Sequence, residues 1–166
     1  MKYLVPALMI LVAPAAQAQN QADAAPRHMT AMTFMKGVCR HMTMNGEELK
    51  PCKGTLASFT YDDGRQSFIF SNGSLTTQDT DMTITFSGNS HDDVTAADGS
   101  ISRPIDVLIS GSTPQNMTDH EATGTCTFFD PAAGVAKISC TAKTDNASWT
   151  GEFITDGAKP DVMKMP

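Results

Sequence analysis

The chain has little with which to grip a polyanion. Twelve Lys and Arg stand against 18 Asp and Glu, for a net charge of −6, and no run of basic residues forms a patch. Binding to nucleic acid or to an anionic membrane draws on such patches, so both partner classes are set aside. Aromatic residues are also scarce, at 7% with a single Trp, which argues against a wide aromatic-lined carbohydrate cleft. Beyond the N-terminus no apolar stretch is long enough to span a bilayer as a helix, so no membrane insertion is expected. There is no G-x-S-x-G elbow and no C-x-x-C redox pair, which removes the local signatures of an α/β-hydrolase and of a thioredoxin-like centre.

The N-terminus itself has the form of an export signal. Lys2 supplies the positive start, residues 4–13 are apolar apart from Pro6, and Ala16-Gln17-Ala18 is a small-x-small cleavage site. The reading is a bacterial signal peptide over residues 1–18, with the mature chain starting at Gln19 and no Cys there for lipid attachment. Loss of Lys2 takes the charge to −7. A periplasmic or secreted, soluble product follows. Four cysteines then fall into two close pairs, Cys39 with Cys52 and Cys126 with Cys140. Zinc sites use tighter spacing, and an oxidising compartment favours disulfides. Four cysteines allow three pairings. The expected one is Cys39–Cys52 and Cys126–Cys140, because each pair flanks a plausible hairpin turn.

What remains reads as β-structure. Met82, Ile84 and Phe86 alternate with threonines. Ile105, Val107 and Ile109 repeat the period of two, and Trp149, Gly151 and Phe153 share one face. Asn45-Gly46, Asp63-Gly64, Asn72-Gly73, Asp98-Gly99 and Asp156-Gly157 punctuate the runs with residues that accept the positive φ of tight turns. The stretch 55–71, turning at Asp63-Gly64, is the clearest hairpin. The predicted fold is all-β: a single antiparallel barrel or sandwich of about eight or nine short strands with two short-range disulfides. Its predicted domains are a disordered lead over 19–28, a β domain over 29–157 and a flexible tail over 158–166. The acidic loop 89–102 is expected to be mobile.

Four chemistries compete. Five methionines crowd into residues 29–44 (Met29, Met32, Met35, Met42 and Met44), with His28 and His41 beside two of them. Thioether and imidazole donors suit Cu(I). The same residues also fit core packing, with Met29, Met32 and Met35 spaced as one helical face and Met42 and Met44 as one strand face. On the second pattern His41 points away from Met42 and Met44. Core packing is preferred, so no cofactor is expected, with copper as the alternative. Ser90-His91-Asp92 imitates a catalytic triad, but triad members converge from separate parts of a fold, and a solvated loop is expected. Asp79, Asp81, Asp92, Asp93 and Asp98 supply oxygen ligands without the spacing of a calcium loop. Finally, a β-scaffold can bind through its loops or open end. Phe128-Phe129 breaks alternation and turns one ring outward, and Trp149 is a further contact candidate, with the core as its preferred place.

The segments Cys39-Arg-His-Met-Thr-Met-Asn-Gly, Cys52-Lys-Gly, Gly64-Arg-Gln-Ser-Phe-Ile-Phe, Cys126-x-Phe, Asp130-Pro131, Cys140-x-Ala and Gly151-x-Phe-x-x-Asp-Gly resemble small secreted two-disulfide bacterial proteins. That resemblance implies a β domain with both cysteine pairs and carries over no activity. The functional expectation is a non-catalytic exported scaffold for a small ligand or protein partner, with a periplasmic copper-binding protein built on residues 28–44 as the alternative.

Overall fold

The computed structural model describes residues 27–73, 82–112 and 116–166. The expected signal peptide, the lead before Arg27 and the pair Asp79 and Asp81 lie outside the described residues. Within them the chain forms strands β1 (Met29–Met44), β2 (Glu47–Glu48), β3 (Thr55–Tyr61), β4 (Arg65–Ser71), β5 (Thr83–Asn89), β6 (Val94–Thr95), β7 (Ile101–Gly111), β8 (Thr118–Phe128), β9 (Lys137–Lys143), β10 (Ser148–Thr155) and β11 (Asp161–Lys164). Eight of them close an antiparallel barrel in the order β1, β3, β4, β5, β7, β8, β9 and β10, with β10 pairing back onto β1. Of barrel and sandwich, the chain takes the barrel. Closure covers the edge of the second half of β1, and β11 covers part of the edge left on its first half.

β1 makes closure possible. Its first half pairs β3 and its second half pairs β10. The hand-over falls at Gly37, where a Cβ would stand 2.0 Å from the Ile154 carbonyl oxygen, so only glycine lets the two backbones meet. A bulge between Cys39 and His41 then adds one residue to the strand. It resets the alternation, so that Met35 and Met42, an odd number of positions apart, both face inward at 3% and 0% exposure. The helical spacing of Met29, Met32 and Met35 is therefore coincidental, because all three lie on this strand.

Inward residues fill the barrel. Phe70 and Phe86 meet edge to face at 5.7 Å, and Phe68 and Phe128 do so at 5.0 Å. Leu56, Ile84, Leu108, Ile138 and Phe153 complete a core without solvent exposure. Each such side chain contributes about 1.5–3 kcal/mol on burial. On β9 the alternation is complete, with Ile138, Cys140 and Ala142 inward and Lys137, Ser139, Thr141 and Lys143 outward. Both expected disulfides are present. Cys126 and Cys140 stand directly opposite each other on β8 and β9, and Cys39 ties β1 to Cys52 in the segment before β3.

The turns obey their sequences. Asn45 and Gly46 both take positive φ, 54° and 81°, between β1 and β2, and Gly64 does so at 82° between β3 and β4. Two stretches expected to be loose carry regular structure or hydrogen bonds. The stretch 158–166, expected as a flexible tail, contains β11, which pairs with Ala31, Met32, Thr33 and Phe34 of β1. Backbone pairing places it there, since Asp-Val-Met-Lys has no alternation to announce a strand. The stretch 89–102, expected to be a mobile loop, has its first residues hydrogen-bonded. The Asn89 side chain caps the short 3-10 turn Ser90–Asp92, accepting from the His91 N–H at 2.9 Å, and Ser90 donates through both its N–H and its hydroxyl to the Gly64 carbonyl.

A candidate binding site at the barrel mouth

One end of the barrel holds a cavity of about 210 Å³. Its wall is the inner face of four strands, with Thr33 and Met35 from β1, Ser58 from β3, Gln66 and Phe68 from β4, and Phe128 from β8. Its rim comes from two outer segments. One is the 3-10 turn Pro131–Ala133, fixed by the Asp130 carboxylate accepting from the Ala132 N–H at 2.9 Å. The other is the stretch between β10 and β11 together with the start of β11, which brings Lys159, Pro160 and Val162 over the opening. Val162 sits opposite Thr33 in the β1–β11 register. The two rim segments are tied together, since the Thr155 N–H donates to the Ala136 carbonyl at 2.9 Å and the Ala136 N–H donates to the Thr155 hydroxyl at 2.8 Å.

Behind this wall lies a buried cation. Arg103 occupies an inward position of β7 with 3% exposure. Its Nε and one terminal nitrogen donate to the two Asp93 carboxylate oxygens at 2.7 and 2.6 Å, and the other terminal nitrogen donates to the Gln66 side-chain oxygen. The guanidinium lies 5.1 Å from the centre of the Phe128 ring, a cation–π contact. Gln66 passes the polarity on by donating from its Nε2 to the Ser58 hydroxyl at 3.1 Å. Asp93 reaches Arg103 because the capped 3-10 turn before it redirects the chain. A buried guanidinium is tolerated only with such partners.

The outer wall carries a second ion pair. Arg65 meets both carboxylate oxygens of Asp106 at 2.7 Å, and this contact holds the Asp106 carboxyl below its ordinary pKa and the guanidinium above its own. Burial pushes the Tyr61 phenol up. A second, open depression of about 650 Å³ lies outside the barrel beside the β7 bulge, lined by Asp106, Glu121, Lys143 and Asp145 among others. It presents charges of both signs beside the small apolar side chains of Val107 and Ala122.

The methionine and histidine candidates are spread along β1. From Met29 to Met44 this strand runs about 50 Å at its usual rise. Met35 lines the mouth cavity, Met42 is in the core, and Met44 packs against it. Met29 and Met32 are half-buried and His28 is exposed. His41 points outward, as the strand alternation anticipates, with its Nδ1 2.7 Å from the Glu48 carboxylate, which lowers the Glu48 pKa. Among the described residues no three His, Cys, Asp or Glu side chains group as a metal site. Asp93 serves Arg103, and Asp98 accepts from the Ser100 N–H and hydroxyl. Ser90, His91 and Asp92 make the 3-10 turn. Phe128 faces inward at 7% exposure and Phe129 outward at 40%, while Trp149 is in the core at 5%.

Arg103, Gln66, Ser58 and the rim residue Lys159 were not singled out in the sequence. The signal for Arg103 was present, because Ile101, Arg103 and Ile105 share one face of an alternating strand. The class defined by the fold is a closed, side-chain-filled antiparallel β-barrel with one partly open mouth. No known protein family matches the chain, and no curated protein or solved structure matches it either.

Proposed function

We propose that this protein is a non-catalytic, exported β-barrel that holds a small ligand, or a side chain of a protein partner, in its mouth. The observation that carries this reading is the cavity between Met35, Phe68 and Phe128, with its polar wall of Thr33, Ser58 and Gln66. Binding sites combine apolar walls with a few placed polar groups in this way. The volume is below the ~300–1,000 Å³ range of drug-sized sites, so the ligand class is small. Two disulfides fit a periplasmic or extracellular setting, where such bonds persist. The outward polar and inward apolar faces of β9 support an aqueous surroundings, since a lipid-facing barrel has the reverse pattern.

The test is native mass spectrometry of the protein recovered from its own compartment, together with an Ala132→Trp variant that fills the mouth. The reading predicts a small adduct on the parent and none on the variant. A bare parent that binds nothing from a small-molecule panel would count against it.

A further inference from the structure

The hydrogen-bond chain in the mouth has a direction, and that direction selects a ligand. Arg103 can only donate. The Gln66 group facing it must therefore be the carbonyl oxygen, which turns the Gln66 amide N–H toward Ser58. The Ser58 hydroxyl is thus committed as an acceptor. Its own proton has no acceptor among the described residues, although Ser58 is only 2% exposed. Ser58 lines the cavity. A buried cation is relayed through an amide to a hydroxyl whose free donor is available to the cavity, and each bond polarises the next.

The rim adds a second cation. Lys159 has no hydrogen-bond or ion-pair partner among the described residues. Asp130, the carboxylate that lines the same cavity, accepts from the Ala132 N–H, and Asp156 near the rim accepts from the Ala158 N–H. The apolar contact surface lies between Met35, Phe68 and Phe128.

We propose that the mouth binds small hydrophobic carboxylates, with the apolar body against Phe68 and Phe128, one carboxylate oxygen accepting from Ser58, and the negative charge favoured by Lys159. This rests on the mouth-binding reading above and adds the ligand's charge and hydrogen-bonding sense.

The experiment is calorimetric or NMR titration of the full chain with four probes of similar shape: benzoate, benzamide, toluene and benzylammonium. The expected order of affinity is benzoate, benzamide, toluene, then benzylammonium. Ser58→Ala should weaken benzoate by roughly ten- to a hundredfold, the usual effect of one hydrogen bond to a charged group, and leave toluene unchanged. Gln66→Glu gives Ser58 a carboxylate to donate to, turns its proton away from the cavity and should abolish the preference for benzoate. Lys159→Gln should weaken benzoate a few-fold and remove most of its salt dependence. Toluene or benzylammonium binding as tightly as benzoate would overturn the carboxylate proposal and leave the mouth-binding reading in place. Failure of all four probes would overturn both. The ranking on the unaltered chain decides the matter even where a variant does not fold.

Discussion

Asp93→Ala should be among the most destabilising single changes in the protein, and more costly than removing the arginine it serves. Arg103 is 3% exposed and donates two short bonds to Asp93. Truncating Asp93 leaves a buried guanidinium with Gln66 and the Phe128 face as its remaining partners. Breaking a buried pair in this way costs about 3–5 kcal/mol. The Asp93 side chain is 20% exposed, so water reaches the vacated position, and the lower end, about 3 kcal/mol, is expected. Arg103→Met removes the charge and keeps an unbranched apolar stem against Phe128. Replacing buried pairs by apolar groups is often neutral or stabilising, so Arg103→Met combined with Asp93→Ala should recover most of the loss. Urea unfolding measures this directly. With a slope of about 1–3 kcal/mol per molar, the midpoint of Asp93→Ala should fall by roughly 1–3 M, and that of the double variant should lie near the parent. An Asp93→Ala midpoint unchanged from the parent, or a double variant no better than the single, would refute the assignment of Arg103 as a buried, Asp93-dependent cation.

Three further outcomes are expected. Cys126→Ala with Cys140→Ala opens a loop of 14 residues' separation and should cost about 3 kcal/mol, read as a lower unfolding midpoint without loss of strand signal in circular dichroism. Met42→Leu keeps volume and should cost under about 1.5 kcal/mol, whereas Met42→Gln buries an amide without partners and should cost at least about 2 kcal/mol by the same unfolding assay. Asp106 has its pKa lowered by Arg65, so the pair stabilises the fold above the unfolded carboxyl value, about 3.9, and this contribution is lost as the pH falls through the lower folded value. The stability gap between the parent and Asp106→Asn should accordingly be present at pH 6 and shrink below pH 4, and a gap that widens in acid would contradict the ion pair.

The β class, the hairpin at Asp63-Gly64 and both cysteine pairs were legible because each depends on local chemistry: alternation, positive-φ turns and proximity along the chain. The misread positions are those where distant backbone decides. Met29, Met32 and Met35 share the spacing of a helix face, and nothing in the sequence announces the bulge at Cys39 and His41 that keeps Met35 and Met42 on one side of a strand. β11 is a strand because β1 offers it an edge. The binding site was hidden for a related reason. The sequence marks Phe128 and Phe129 as a pair with one ring outward, and Phe128 is the inward one of the two. Its partners Phe68 and Arg103 come from other strands, and only closure of the barrel brings them together. Arg103 is hard to read from the sequence because a charge in an alternating run suggests the solvent face, until a preceding loop supplies Asp93.

The central claim, that the mouth is the binding site, is tested most directly by methyl NMR of the protein carrying 13C-methyl methionine. Met35 lines the cavity, Met42 lies deep in the core, and Met163 is 48% exposed on β11. Titration with benzoate should move the Met35 signal in a saturable way and leave Met42 in place. A Met35 signal that stays fixed while benzoate binds elsewhere, or that none of benzoate, benzamide, toluene and benzylammonium moves, would contradict the account.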